Sequence, residues 1–142
     1  MKVVFLDRDG VINQERGDYT WRLEDWQFTN EIISFLKETQ KRGYKTIVIT
    51  NQGGIAKGLY THEDVQRLHG HMIQLLTEEG IEVLDIFYSP YHDVVSRSLS
   101  RKPDSLMLEK AIYLNGVDVK NSFMTGDSDR DIVAANRAGL KA

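Results

Sequence analysis

Three short apolar runs of this chain are each followed at once by acidic or small polar residues. These stretches read FLDRDG at residues 5–10, ITNQGG at 49–54 and TGDSDRD at 125–131, and a fourth polar stretch, RKPD at 101–104, brings two cations. Asp7 and Asp9 are two positions apart, so on an extended segment both face one side while Arg8 points elsewhere. One such carboxylate could attack phosphorus while the other handles a proton.

The apolar pattern predicts the elements that position these side chains. Buried strands are expected at residues 3–6, 44–50, 83–88 and 122–125, because short runs rich in Val, Ile and Phe are typical of strands covered on both faces. Amphipathic helices are expected at 30–41, between a cap at Thr61 and Gly80, at 104–115 and at 129–138. This alternation predicts a three-layer α/β/α, Rossmann-like fold with a parallel sheet, in which ligands bind beyond the carboxyl ends of the strands.

Composition narrows the classes of function. A chain of 142 residues suits a single domain over 1–142, and its net charge of −3 argues against nucleic acid or an anionic membrane as a partner. Cys is absent, which excludes disulfides and thiolate nucleophiles. No apolar run approaches the roughly 20 residues of a membrane span, and early acids argue against a signal peptide, so a cytoplasmic location is expected.

The predicted topology brings the polar stretches to one edge of the sheet. Acids from separate strands would repel each other there and raise one another's pKa, a cost that a divalent cation relieves. A site made of oxygen ligands favours Mg²⁺. Thr50 supplies a hydroxyl and Asn51 an amide, and backbone N–H groups near a helix start can hold phosphate oxygens. Lys102 could neutralise charge on a transferring group.

Taken together, in this order and at these strand ends, the four stretches resemble the haloacid dehalogenase superfamily of phosphotransferases over nearly the whole chain. The resemblance implies that Asp7 is a nucleophile forming an aspartyl phosphate, and that Asp9 is first a general acid and then a base. It implies Mg²⁺ bound by the Asp7 side chain, the Asp9 backbone carbonyl and the Asp127 side chain. Thr50 and Lys102 are expected to bind the phosphoryl oxygens.

Longer patterns indicate a branch of that superfamily. DRDGVIN at 7–13, TNQGGIAKG at 50–58 and RKPD look like the histidinol-phosphatase and heptose-bisphosphate-phosphatase group, which has a minimal cap. The resemblance implies a monomeric phosphomonoesterase for a small phosphorylated metabolite, such as D-glycero-D-manno-heptose 1,7-bisphosphate. Asn51, Arg101 and Lys57 are the expected substrate-binding residues.

The sequence departs from this group in three places. Bacterial members usually carry a zinc loop, CPHH…CxCRKP, whereas here SPYH at 89–92 and SLS at 98–100 replace the cysteines with serines and put Tyr91 at a histidine position. Serine hydroxyls are poor zinc ligands, so no zinc is expected. Ser128 stands where many members have Lys. Relatives continue into a further strand after residue 142, which suggests a truncated chain or a brief tail.

Several of these residues also have a purely structural interpretation. Asp7 and Asp9 could be solvated acids that end a strand, Thr50 could cap its strand, and Asn51 could form a turn. Asp131 could order the loop at the site or interact as an acid with the start of the last helix. The histidines are expected in surface or structural roles, and the aromatic residues between 19 and 28 in packing or in shielding a substrate.

Other functions remain open at this point. Histidinol phosphate is the nearest alternative substrate, and a nucleic-acid 3′-phosphatase is disfavoured by the acidic balance of the chain. A non-catalytic phosphate-binding regulatory module is the alternative from another class, although both acids of the DxD pair are retained.

Overall fold

The first strand lies in the interior of the sheet. The computed structural model describes residues 1–92, 101–126 and 128–142. Within these ranges the sheet consists of β1 (Val3–Leu6), β2 (Lys45–Asn51), β3 (Val83–Ser89) and β4 (Phe123–Thr125), in the order β3-β2-β1-β4 and with every pairing parallel. All four residues of β1 are fully buried, as a strand covered on both faces must be.

Helices cover both faces of the sheet. They are α1 (Ile32–Lys41), α2 (His62–Glu78), α3 (Leu106–Asn115) and α4 (Asp129–Arg137). Because successive side chains of a strand point to opposite faces, Val4 and Leu6 pack in one apolar cluster with α1 and α2, while Val3 and Phe5 pack in the other with α3 and α4. The predicted three-layer α/β/α fold with a parallel sheet is therefore confirmed.

Element ends follow local side-chain chemistry. Thr61 caps α2 as predicted, because its hydroxyl accepts from the Asp64 amide at 3.1 Å and the Asp64 carboxylate accepts from the Thr61 amide at 2.9 Å. Helix α3 begins two residues later than predicted. The backbone amide of Asp104 donates a hydrogen bond to Arg101 O, and its side chain forms an ion pair with Arg137 at 3.0 Å, so Asp104 is held in a turn before the helix.

Short elements without periodicity were not predicted. Two 3₁₀ turns lie at Leu23–Asp25 and Val119–Asn121. Lys141 forms a parallel bridge to Phe123 on the outer side of β4. In the described part of the chain, no helix is both long and apolar enough to cross a bilayer.

Candidate active site

A cavity of about 420 Å³ opens at the carboxyl ends of the strands. The register places Asp7 there, because its amide continues the β1–β4 pairing with a 3.1 Å bond to Thr125 O before the chain leaves the sheet. The walls carry both carboxylates and cations, contributed by Asp7, Asp9, Glu15, Asp18, Arg101, Lys102 and Arg130. Such a mixed lining suits a cation together with an anionic ligand.

Lys102 lies at the bottom of this cavity and is 3% exposed. Its Nζ donates to Asp7 Oδ1 at 2.9 Å, to Ile49 O at 3.1 Å and to Asp131 Oδ1. A buried ammonium is stable only when its three protons have acceptors, and here two carboxylates and one carbonyl supply them. The cluster of Asp7, Lys102 and Asp131 therefore joins the ends of three separate segments of the chain.

The Asp7 carboxylate is in an environment that disfavours its charge. Burial raises the pKa of Asp7 to about 6; the nearby Lys102 opposes this shift, and Asp131 adds to it. A carboxylate whose ionised form is destabilised in this way, at the wall of an open cavity, is one that a divalent cation would stabilise.

Asp131 combines the two roles that the sequence left open. It is 1% exposed, and one carboxylate oxygen pairs with Lys102. The other accepts from the hydroxyl of Ser128 at 3.1 Å and from its amide at 3.4 Å, at the start of α4. A Cβ at Gly126 would overlap the Asp131 side chain, so glycine is required at that point of the turn.

Asn51 holds the segment that carries Lys102. Its side-chain Oδ1 accepts from the Lys102 amide at 2.9 Å, and its Nδ2 donates to Lys102 O at 3.2 Å. Arg101 lines the cavity but is 5% exposed, with one guanidinium nitrogen donating to Tyr91 O at 3.0 Å. Gly53 lies against this group, because a Cβ there would come within 3.0 Å of Arg101 Nη1.

Asp9 is held by donors on both carboxylate oxygens. Oδ1 accepts from Arg8 Nη2 at 2.9 Å, from Arg8 Nε at 3.2 Å and from Asn13 Nδ2 at 3.0 Å. Oδ2 accepts from Gln52 Nε2 at 3.1 Å. The Asp9 side chain is still 25% exposed, so it can reach a ligand in the cavity while its orientation is fixed from behind.

Arg8 is fully buried between its two acidic neighbours in sequence. Besides binding Asp9, it donates to Thr20 O at 2.7 Å and lies 3.2 Å from Nε2 of His69. Burial lowers the pKa of His69 to about 3, and the positive charge of Arg8 adds to that effect. The imidazole is therefore neutral, and it can accept a hydrogen bond from the guanidinium.

Gln52 connects Asp9 with an aromatic wall. It is 1% exposed, and its Nε2 also donates to Thr50 Oγ1 at 3.0 Å, while its Oε1 accepts from the Tyr60 hydroxyl at 2.7 Å. The Tyr60 ring stacks on Trp21 with an interplanar angle of 14° and meets Tyr19 edge to face. Tyr19 in turn lines the cavity.

The structure brings most of the predicted site residues together, but not all of them. Asp7, Asp9, Asn51, Arg101 and Lys102 line one cavity. Thr50 is not part of its lining and is 1% exposed, with its hydroxyl oxygen occupied by the Gln52 amide.

Lys57 and Asp127 were also predicted at the site. Lys57 is exposed and places Nζ 5.3 Å from the centre of the Tyr19 ring, outside the cavity. Asp127 lies outside the described residues, as do Ser98 and Ser100 of the replaced zinc loop.

Sequence reasoning missed Arg8, Gln52, Tyr60 and His69. Gln52 could have been found, because it stands two positions after Thr50 at a strand end and so shares its side of the chain. Arg8 offered no signal, since an arginine between two aspartates is typical of a solvated turn.

The donors that the structure describes fit a hard cation. Asp7 supplies a carboxylate at the cavity wall. Its pKa is raised, and a bound divalent cation would lower that pKa by stabilising the ionised carboxylate. Among residues 1–92, 101–126 and 128–142, no group of three or more His, Cys, Asp or Glu side chains could hold a metal by itself. The third predicted ligand, Asp127, is not among them.

The chain is similar to phosphatases in both sequence and structure. A profile of the polynucleotide kinase 3 phosphatase family matches residues 2–139. A D-glycero-alpha-D-manno-heptose-1,7-bisphosphate 7-phosphatase of Photorhabdus laumondii is 42% identical over 146 residues, covering 99% of this chain and 79% of the relative. A D-glycero-beta-D-manno-heptose-1,7-bisphosphate 7-phosphatase of Haemophilus ducreyi is 37% identical, covering 99% and 80%.

A solved structure with the same fold holds the expected ligands. The D,D-heptose 1,7-bisphosphate phosphatase from B. bronchiseptica, complexed with magnesium and phosphate, superposes with a TM-score of 0.92 at 29% identity, covering 99% of this chain and 78% of that one. The present chain therefore belongs to the polynucleotide kinase 3 phosphatase family of the haloacid dehalogenase superfamily, in its heptose-1,7-bisphosphate phosphatase branch.

Proposed function

We propose that this protein is a Mg²⁺-dependent phosphatase that removes the 7-phosphate of D-glycero-D-manno-heptose 1,7-bisphosphate. The observation that carries the proposal is the 2.9 Å contact between the buried Lys102 ammonium and the Asp7 carboxylate, at the bottom of a cavity that Asp9 also lines. A nucleophile, an acid and a cation within one cavity are the groups that phosphoryl transfer needs.

The first step is transfer of the phosphoryl group to the protein. An Asp7 oxygen attacks the phosphorus, and the bond between phosphorus and the sugar oxygen breaks. Asp9 gives its proton to that oxygen, which leaves as the sugar hydroxyl. Lys102 reduces the negative charge around the reacting phosphoryl group, because its ammonium lies in a nearly dry position where its field is weakly screened.

The second step regenerates the protein. Water attacks the phosphorus of the aspartyl phosphate while Asp9 accepts a proton from that water. The bond between Asp7 and phosphorus breaks, and inorganic phosphate leaves. The same carboxyl group thus acts first as an acid and then as a base, so it must stay in one place through both steps.

Mg²⁺ would be held by the Asp7 carboxylate, the Asp9 backbone carbonyl and the Asp127 carboxylate. When bound, it would supply positive charge to the phosphoryl oxygens. The zinc-loop positions occupied by serine and Tyr91 offer poor zinc ligands, so we propose Mg²⁺ as the only metal.

The remainder of the substrate is proposed to lie along the cations of the cavity. A volume of about 420 Å³ is suited to a small phosphorylated metabolite. Arg101 is the proposed contact for the second phosphate, with Asn51 positioning Lys102. Lys57 would reach the substrate only by leaving the face of Tyr19.

The test is hydrolysis of a panel of phosphate esters at equal concentration, with and without Mg²⁺. The panel contains both anomers of the heptose bisphosphate, because relatives named for each anomer are similar to this chain. Histidinol phosphate and an oligonucleotide 3′-phosphate represent the other substrate classes. The highest kcat/KM is expected for a heptose bisphosphate, and preference for the oligonucleotide would refute the proposed substrate.

The nucleophile is tested by Asp7→Asn. This variant should fold with the wild-type circular dichroism spectrum and should lack turnover on every ester, because an amide cannot attack phosphorus. Wild-type turnover in this variant would reject the proposed chemistry. Failure of the wild-type protein to hydrolyse any ester would instead favour a phosphate-binding module.

A further inference from the structure

We infer that Gln52 is a positioning residue that fixes the proton-carrying oxygen of Asp9, and that the Tyr60 hydroxyl sets the orientation of the Gln52 amide. This inference rests on the proposed function, since it concerns the acid–base step. It starts from the different surroundings of the two oxygens of the Asp9 carboxyl group.

Only one oxygen of Asp9 is suited to carrying the catalytic proton. Oδ1 accepts three hydrogen bonds, two from Arg8 and one from Asn13. Those donors leave no room for a proton on Oδ1, because a carboxylate oxygen offers about two lone-pair directions. Oδ2 accepts from Gln52 alone among the described residues, at 3.1 Å. Oδ2 is therefore the atom that can hold a proton and pass it to a leaving group.

Gln52 can serve Oδ2 only in one orientation of its amide. With Nε2 toward the site, it donates to Asp9 Oδ2 at 3.1 Å and to Thr50 Oγ1 at 3.0 Å. If the amide were flipped, its carbonyl oxygen would face the Asp9 carboxylate, and two acceptors would repel each other.

The Tyr60 hydroxyl holds that orientation from the other side. It donates to Gln52 Oε1 at 2.7 Å. Burial raises the pKa of Tyr60, so the hydroxyl stays protonated and remains a donor. The Tyr60 ring is fixed in turn by stacking on Trp21. It also packs closely against the backbone of Gly54, where a Cβ would lie 2.7 Å from Tyr60 Cζ.

The chain of contacts thus runs from an aromatic wall through one amide to one carboxyl oxygen. The function of this series of contacts is to keep Oδ2 of Asp9 directed at the leaving oxygen. Its loss should matter most when the leaving group needs a proton, as an alkoxide does, and least when the leaving group is a stable phenolate.

The experiment compares kcat/KM for the heptose bisphosphate, an alkyl ester, with kcat/KM for p-nitrophenyl phosphate, an aryl ester. The ratio kcat/KM reports only the steps up to loss of the leaving group, whereas hydrolysis of the aspartyl phosphate is common to both esters. Gln52→Met keeps the side-chain length and removes both polar atoms of the amide. It should lower kcat/KM on the order of 10²-fold for the alkyl ester and less than about 5-fold for the aryl ester. Tyr60→Phe should give about a 10-fold loss on the alkyl ester with the same selectivity.

Matched controls exist elsewhere in the chain. The amide of Gln40 is also engaged at both ends, with Gly80 O at 2.8 Å and the Glu82 amide at 3.0 Å, far from the site. Gln40→Met and Tyr44→Phe should leave the ratio of alkyl to aryl turnover unchanged.

A double variant separates positioning from structure. In an Asp9→Asn background, which lacks the acid, Gln52→Met should cause no further loss on the alkyl ester, because the two changes remove the same step. A further loss equal to that in the wild-type background would overturn the inference, as would equal losses on both esters. If Gln52→Met does not fold, the ratio measured for Tyr60→Phe decides. Wild-type protein that hydrolyses neither ester refutes the proposed function and the inference with it.

Discussion

Replacing Lys102 with methionine tests the ionic cluster beneath the cavity. In wild-type protein the ammonium lies 2.9 Å from Asp7 Oδ1 and also pairs with Asp131. At that separation a gross attraction of about 6 kcal/mol is expected for an effective dielectric constant near 20. Desolvation offsets much of it, so the net loss of unfolding free energy should be about 3–5 kcal/mol, typical of a buried charge left without its partner.

The sharper prediction is that the effect of Asp131→Asn on the free energy of unfolding changes sign when Lys102 is replaced. Asp131→Asn should destabilise the wild-type protein, because Lys102 loses one of its acceptors, although an asparagine can still accept from Ser128 at the start of α4. In the Lys102→Met background the same change should stabilise, because it removes one of two buried acids that then face each other. The coupling free energy should be about 2–3 kcal/mol.

Urea denaturation at pH 7.5 without metal, followed by circular dichroism, measures the free energy of unfolding of the wild-type protein, the two single variants and the double variant. The exposed pair of Lys37 and Glu79, 3.0 Å apart with both side chains about half exposed, is the matched control. Its coupling should be about 0.2–1 kcal/mol. If Asp131→Asn costs the same in both backgrounds, the side chains of Lys102 and Asp131 do not interact and the site as described is wrong.

Further outcomes follow from the other buried groups. Because the pKa of His69 is lowered from 6.5 to about 3, its contribution to stability is complete above about pH 6.5 and is lost as pH falls. Because the pKa of Asp7 is raised from 3.8 to about 6, its contribution is complete below about pH 4 and is lost as pH rises. In metal-free urea titrations, the free energy of unfolding of His69→Gln should therefore rise relative to that of wild-type protein as pH falls. That of Asp7→Asn should rise relative to wild type as pH rises, and each change should be at most about 1.4 kcal/mol per pH unit. If the unfolding free energy of each variant runs parallel to that of wild-type protein across pH, the shifted pKa values of His69 and Asp7 are contradicted. Mg²⁺ should raise the Tm of wild-type protein more at pH 7 than at pH 5, and should raise that of Asp7→Asn little at either pH, as differential scanning fluorimetry can show. Asn51→Ala, which removes two bonds to the Lys102 backbone at 2.9 and 3.2 Å, should lower turnover of alkyl and aryl esters by the same factor.

The fold could be predicted because its signals are local and agree with one another. Short β-branched runs identified every strand that the structure describes to within a residue or two, and alternation with amphipathic segments implied a parallel sheet. That topology then placed the ends of β1 and β2 and the loop after β3 at one edge, which is why the sequence alone could group Asp7, Asn51 and Lys102.

The groups behind the cavity could not be predicted in the same way. The burial of Arg8 depends on Thr20 O and on His69, which lies 61 positions away on α2. No local pattern reports such a contact. The position of Lys57 could not be predicted either, because its contact with the ring of Tyr19 joins residues 38 positions apart.

The contacts that hold the reaction centre also have a kinetic consequence. Lys102 lies 95 positions from Asp7 and 29 from Asp131, so closing the cluster requires long loops to be ordered first. Such non-local topologies fold slowly. Because Asp131 lies on α4, the ionic cluster can be complete only when the final βα unit has docked beside β1. In a refolding experiment, catalytic competence should therefore not return before that unit has docked.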